Sequence, residues 1–179
     1  APLPFSSSVY LASEAIQRFG NEAQKSAWLP RLASGECVAT VAMAERAGRL
    51  ALEQLETRRG GSQLSGTKVP VADSSVAEVA VVLARSDAGL EACLVPLQQA
   101  GVSVEPVLTF DTSRGHSSVT LDGAEAEVLG ETTLNPEDWE SLLDGAAVLL
   151  ACEQLGLAET ALTQARDYAL QRFAFGRAI

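Results

Sequence analysis

From Leu142 to Leu162 the chain is apolar on nearly every side of what reads as one continuous helix, with Leu142, Leu143, Val148, Leu149, Leu150, Leu155, Leu157 and Leu162 spread round its circumference. Such a helix has to be buried on several faces at once. Its start is marked by Asn135 as N-cap, Pro136 at the first helical position, and Glu137 and Asp138 in the first turn. The pattern runs on to about Phe173, and at 1.5 Å per residue a helix of about 38 residues would be roughly 57 Å long. Nothing else in the 179 residues is large enough to surround it. The sequence is therefore expected to be part of a larger helical assembly, completed by later helices or by another subunit. At the helix exit, Arg172, Phe173, Phe175 and Gly176 stand together, a combination that suits an anionic or aromatic ligand.

Ahead of that helix the hydrophobic period changes twice. Val9, Ala12, Ile16 and Phe19 repeat at helical spacing within Ser8–Phe19, and Gly20 follows as a C-terminal cap. Asn21 can cap a second helix, with Ala23, Ala27, Trp28 and Leu32 on one face, an interruption at Pro30 and a stop at Gly35. Then come short β-prone runs at Cys37–Met43, Gln63–Val69, Val76–Ala84, Ala92–Pro96, Val102–Leu108, Ser117–Leu121 and Ala126–Leu129. Turn signals at Gly60-Gly61, Asp87-Ala88-Gly89, Ala100-Gly101 and Asp122-Gly123 separate several of them. The expected fold class is α+β: two short helices, an antiparallel β-barrel or sandwich, then one long helix from an incomplete bundle. The expected divisions are 1–35, 36–132 and 133–179.

Charge and cysteine usage narrow the functional classes. A net charge of -10 argues against a phosphate-backbone partner, which needs clustered Lys and Arg. No uninterrupted apolar run reaches the roughly 18 residues needed to cross a bilayer, and no basic segment precedes a short apolar stretch at the N-terminus, so neither a membrane span nor a secretory signal is expected. Cys37, Cys93 and Cys152 are odd in number, widely spaced and set among apolar residues. They read as buried free thiols of a reducing, cytoplasmic protein.

The order of helix pair, barrel and long helix is accompanied by Gly20-Asn-Glu-Ala-Gln-Lys-Ser-Ala-Trp-Leu-Pro-Arg-Leu-Ala-Ser-Gly-Glu36, Leu64-Ser-Gly-Thr-Lys68, Glu153-Gln-Leu-Gly156 and a closing Arg-x-x-Phe-Gly. In this the chain resembles the acyl-CoA dehydrogenases along its whole length. The resemblance implies the end of an N-terminal helical domain, a complete middle barrel and the first helix of a C-terminal bundle. It further implies FAD as cofactor, an acyl-CoA substrate, α,β-dehydrogenation, an electron-transfer flavoprotein as acceptor, and a homo- or hetero-oligomer.

The same resemblance carries over residue by residue. The first flavin-contacting segment, often Thr-Glu-Pro in the family, is here Met43-Ala44-Glu45-Arg46, so Met43 and Ala44 would meet the cofactor through backbone alone. In the second segment, after Gly66-Thr67-Lys68, Pro70 and Ala72 stand where an aromatic residue and a Thr or Ser are common. In the third, Arg172 and Phe175 would contact the dinucleotide, with Ala174 where the family has Gln; an Arg suits a pyrophosphate because it can pair bidentately. Read without the resemblance, the first is a barrel strand entering a loop, the second an edge strand carrying Pro, and Arg172 a last-turn residue satisfying helix carbonyls. No catalytic residue is assigned: Glu140, Asp144 and Glu153 read as solvated or interfacial charges, and Ala146 stands where a minority of the family place the base. His116, the only histidine, reads as a surface loop residue without metal or triad spacing. A non-catalytic or half-site subunit, or a cofactor-free interaction module, remain alternatives.

Overall fold

The structure, a computed structural model, describes residues 3–46, 48, 50–111, 113–130 and 133–179. It forms two compact units, 1–143 and 144–179. In the first, Ser6–Ser13 winds as a π-helix and continues as α1 (Glu14–Phe19). This wider winding shifts the buried face, so that Ala12, Ala15 and Ile16 are enclosed while Val9 is exposed. Helix α2 (Glu22–Ser34) opens with a reciprocal capping box: the Asn21 side chain accepts from the Gln24 N–H, and the Gln24 side chain accepts from the Asn21 N–H. It ends at Gly35 in the left-handed region at φ 76°. Its inward stripe is Gln24, Trp28 and Leu32, with Ala23 and Ala27 exposed. Gln24 is buried because its amide bridges to Val128 O at 2.8 Å and its carbonyl accepts from Gly130 N at 2.9 Å.

The strands are β1 (Ala39–Ala42), β2 (Arg58–Gly60), β3 (Gln63–Ala72), β4 (Val79–Ser86), β5 (Gly89–Pro96), β6 (Val102–Pro106), β7 (His116–Glu125) and β8 (Glu127–Val128). They make one curled sheet in the order β6-β7-β3-β2-β4-β5-β8, with β1 also on β4. The sheet is mixed rather than purely antiparallel, since β1 runs parallel to β4 and β2 meets β4 in parallel at Arg58↔Arg85. Chain direction along a strand leaves no mark on side-chain periodicity, so the sequence pattern could not carry this.

Strand β4 decides where the core sits. All of Val79–Ala84 is buried: Val79, Val81 and Leu83 face one apolar cluster and Ala80, Val82 and Ala84 another. A strand covered on both faces reads as a continuous apolar run. The first cluster also holds Ile16, Leu32, Trp139 and Leu142, and Phe19 stacks on Trp139 with ring centroids 6.1 Å apart.

Helix α3 (Pro136–Gln171) starts as expected, with Asn135 Oδ1 accepting from Glu137 N at 3.1 Å. Only Trp139 and Leu142 are buried along it, and Val148, Leu155, Leu157 and Leu162 are exposed. Contrary to the expectation from uninterrupted runs, it contains an 18-residue window of mean hydropathy 1.4, which by length and composition is enough to cross a membrane. Isolated charges such as Asp144 and Glu153 break the run without lowering the average below that level. Beyond it the chain forms a hairpin, β9 (Phe173–Ala174) and β10 (Arg177–Ala178), in place of further helix.

Trp139 is fully buried, yet its indole Nε1 has no hydrogen-bond partner. Trp139→Ala is expected to cost about 3–5 kcal/mol of stability, whereas Trp139→Phe keeps an aromatic face for Phe19 and removes the orphan donor, costing less than about 2 kcal/mol. Urea unfolding followed by circular dichroism measures both.

Candidate functional site

The site begins with one irregular stretch of β3. Between Lys68↔Val119 and Val71↔Ser117 the pairing with β7 takes in one extra residue, which is where Pro70, having no N–H, would break a regular ladder. Freed from β7, the Val69 N–H donates to Ala44 O at 2.8 Å. This bond ties the strand to the segment that leaves β1. Gly66 tightens the same region: its φ is +148°, and a Cβ there would lie 2.6 Å from the Thr57 hydroxyl and 2.7 Å from its Cα. Only glycine lets β3 approach Thr57 so closely.

Lys68 holds the segment from inside. Its side chain has no solvent exposure, and Nζ donates to Glu45 Oε1 at 2.8 Å and to Met43 O at 3.3 Å. Glu45 also accepts from the backbone N–H of Glu56 at 2.6 Å and of Thr57 at 2.8 Å. Burial pushes the Glu45 carboxyl up, but the Lys68 ammonium and these two N–H groups outweigh it and hold its pKa at about 2. Burial lowers the Lys68 pKa, with Glu45 opposing.

The outcome is a cavity of about 400 Å³ whose wall includes Met43, Ala44, Pro70 and Ala72. Residues from two separate sequence segments thus meet on one concavity. The carbonyls of Met43, Ala44 and Ala72 already accept from Lys68 Nζ, Val69 N and Thr40 Oγ1, so these segments are held in place by their own bonds and much of the surface they give the cavity is apolar. Ser7 and Arg46 also line the cavity, but Ser7 Oγ donates to Asp73 at 2.6 Å and Arg46 to Gln54 at 2.8 Å. Among the described lining residues there is no Asp or Glu.

His116 is not a surface loop residue. It is the first residue of β7, pairs in register with Ala72 and lines this cavity, with a buried Nδ1 that has no hydrogen-bond partner. An enclosed polar atom left unpaired costs about 1–3 kcal/mol. The sequence missed it because the preceding polar run, Ser113-Arg114-Gly115, hides a strand start; the alternation Ser117, Val119, Leu121 was the available signal. Arg172 and Phe175 lie in the other unit. Arg172 N closes the helix on Tyr168 O at 2.8 Å, and Phe175 with Gly176 forms the two-residue hairpin turn, at φ 53° and 79°. Both side chains are exposed. The buried thiols number two, Cys37 and Cys93, with burial pushing Cys93 up to about 12; Cys152 is exposed on α3, against expectation.

Residues 2–36 match the model of the acyl-CoA dehydrogenase N-terminal domain. The human mitochondrial short-chain specific acyl-CoA dehydrogenase is 30% identical over 94% of this chain and 44% of its own length. A glutaryl-CoA dehydrogenase from Mycobacterium smegmatis, solved in complex with FADH2, superposes with a TM-score of 0.83 at 27% identity, over 97% of this chain and 47% of that one. The chain is similar to the acyl-CoA dehydrogenases. The ChsE4-ChsE5 complex from Mycobacterium tuberculosis is also similar, with a TM-score of 0.81 and 26% identity over 99% of this chain and 48% of that one. The chain spans about half the length of the relatives it matches.

Glu45 gives a pH signature. Its folded pKa lies below the ordinary 4.5, so its contribution is complete above about pH 4.5 and fades as pH falls towards 2. Stability measured by urea unfolding across that window should drop about 2–3 kcal/mol more in the wild type than in Glu45→Gln.

Proposed function

We propose that this chain is part of an FAD-dependent acyl-CoA dehydrogenase that oxidises the α,β-bond of an acyl-CoA thioester and passes electrons to an electron-transfer flavoprotein. The observation that carries the reading is the convergence of Met43, Ala44, Pro70 and Ala72 on one cavity. Its volume lies in the range of small-molecule sites, about 300–1,000 Å³, and suits the ring end of a dinucleotide rather than the whole. A largely apolar wall that includes the His116 side chain fits a flat heteroaromatic ring. Met43 and Ala44 would hold it through backbone, Pro70 and Ala72 through apolar contact, and Arg172 and Phe175 would serve the dinucleotide. The flavin, when bound, supplies the acceptor for the hydride leaving the β-carbon. The chain's own residues exclude water and fix the ring's plane; the proton-abstracting carboxylate is assigned to none of them.

The division 1–35, 36–132 and 133–179 follows from this reading, with the exposed leucines of α3 as bundle surfaces rather than a membrane face. A cytoplasmic location is part of the same proposal, since free thiols suit a reducing compartment. A hetero-oligomeric half-site is the second reading, favoured by the short side chains at Ala44 and Ala72 and by the likeness to the ChsE4-ChsE5 complex.

The full-length protein should purify yellow, and a substrate acyl-CoA should bleach the flavin anaerobically with formation of the enoyl-CoA. A colourless protein that takes up no added FAD would overturn the flavin reading. Flavin uptake without bleaching until a second subunit is added would favour the half-site.

A further inference from the structure

We propose, resting on the flavin reading above, that His116 is a ring-binding residue: its Nε2–H donates a hydrogen bond to the heteroaromatic ring in the cavity and stands in for the hydroxyl that Ala72 lacks. Three observations converge. Ala72 and His116 are register partners across β3 and β7 and both line the cavity. Side chains at paired positions of an antiparallel ladder share a face and touch, so a methyl at 72 leaves room for the imidazole beside it.

The second observation is the ring's orientation. Nδ1 is enclosed without a partner, and the side chain nonetheless forms part of the cavity wall. The accessible edge is then the opposite one, which carries Nε2. A neutral imidazole has one donor and one acceptor nitrogen, and an enclosed acceptor left unpaired is better tolerated than an enclosed N–H. This places the proton on Nε2, facing the cavity.

The third is that the residue is fixed by its surroundings. Val107 N donates to His116 O at 2.9 Å, and the preceding turn is anchored where Asp73 N donates to Gly115 O at 2.9 Å. Arg114 Nη2 donates to Asp73 Oδ2 at 2.5 Å and Nη1 to Ser6 Oγ at 2.6 Å. With the Ser7 and Thr40 hydroxyls committed, the polar side chains left to an occupant on the described wall are the imidazole and Arg46, whose guanidinium gives one N–H to Gln54.

The test uses the full-length protein stripped of cofactor and retitrated with FAD. His116→Phe, which keeps the ring and removes both nitrogens, should weaken flavin binding about tenfold and alter the flavin's visible spectrum, while His116→Gln, which restores a donor, should recover most of the loss. Because a variant could lose affinity by misfolding, the wild-type imidazole is also followed by 15N NMR, where the Nε2 resonance should move on adding FAD and Nδ1 should move less. Flavin binding by His116→Phe within about twofold of wild type, or an unmoved Nε2 resonance in flavin-saturated wild type, overturns the role of His116 and leaves the flavin reading intact. Failure of the wild type to bind FAD overturns the flavin reading itself.

Discussion

A lysine ammonium with no access to water has to be satisfied from within, and Lys68 is satisfied by parts of the chain that would otherwise have no reason to meet. Its partners, Glu45 and Met43 O, belong to the segment leaving β1, and Glu45 in turn collects the N–H groups of Glu56 and Thr57. One buried pair therefore fixes both ends of the connection between β1 and β2. Removing one partner of such a pair is far more damaging than its net contribution suggests, at about 3–5 kcal/mol, because the other charge is stranded. The cavity wall at Met43 and Ala44 inherits its position from this pair.

Around that anchor the apolar architecture is divided between two faces of one sheet. The face bearing Val79, Val81 and Leu83 is covered by the N-terminal helices and the first turns of α3, through Ile16, Trp139 and Leu142. The other face closes on itself as the barrel interior, with Val71, Val82, Val95 and Val119. The cavity opens where β1, β3 and β7 come together, and none of its described lining residues belongs to the fully packed β4. Side chains on its wall can thus be short, as at Ala44 and Ala72, without unpacking the core.

Much of the fold was legible because its signals are local: Asn21 and Gly35 bracket α2, Asn135 starts α3, and the β-prone runs fall on real strands. What escaped depends on tertiary context. The parallel pairing of β1 with β4 has no periodic signature, and the π-helical winding that turns Val9 outward is not encoded in apolar spacing. The hairpin after Gln171 looked like more helix because Phe173-Ala174-Phe175 lacks the Asn-Gly that usually marks a two-residue turn. For the site, Met43, Ala44, Pro70 and Ala72 were reached through family resemblance, not through their own chemistry. His116 was named and set aside, since a lone histidine says nothing of the strand across from it.

The extra residue at Val69-Pro70 has a counterpart at Leu64/Ser65, where the pairing with β7 skips Gly123. The stretch from Ser65 to Lys68 is thereby pinned at both ends like a ruler between two stops. A slip of one residue there would turn Lys68 outward and carry Thr67 or Val69 inward. Neither can neutralise the Glu45 carboxylate, so the misaligned chain would leave that half-buried anion without its cation. The same charge that anchors the correct alignment makes the neighbouring alignments expensive, and the register of β3 is proofread by electrostatics rather than by shape alone.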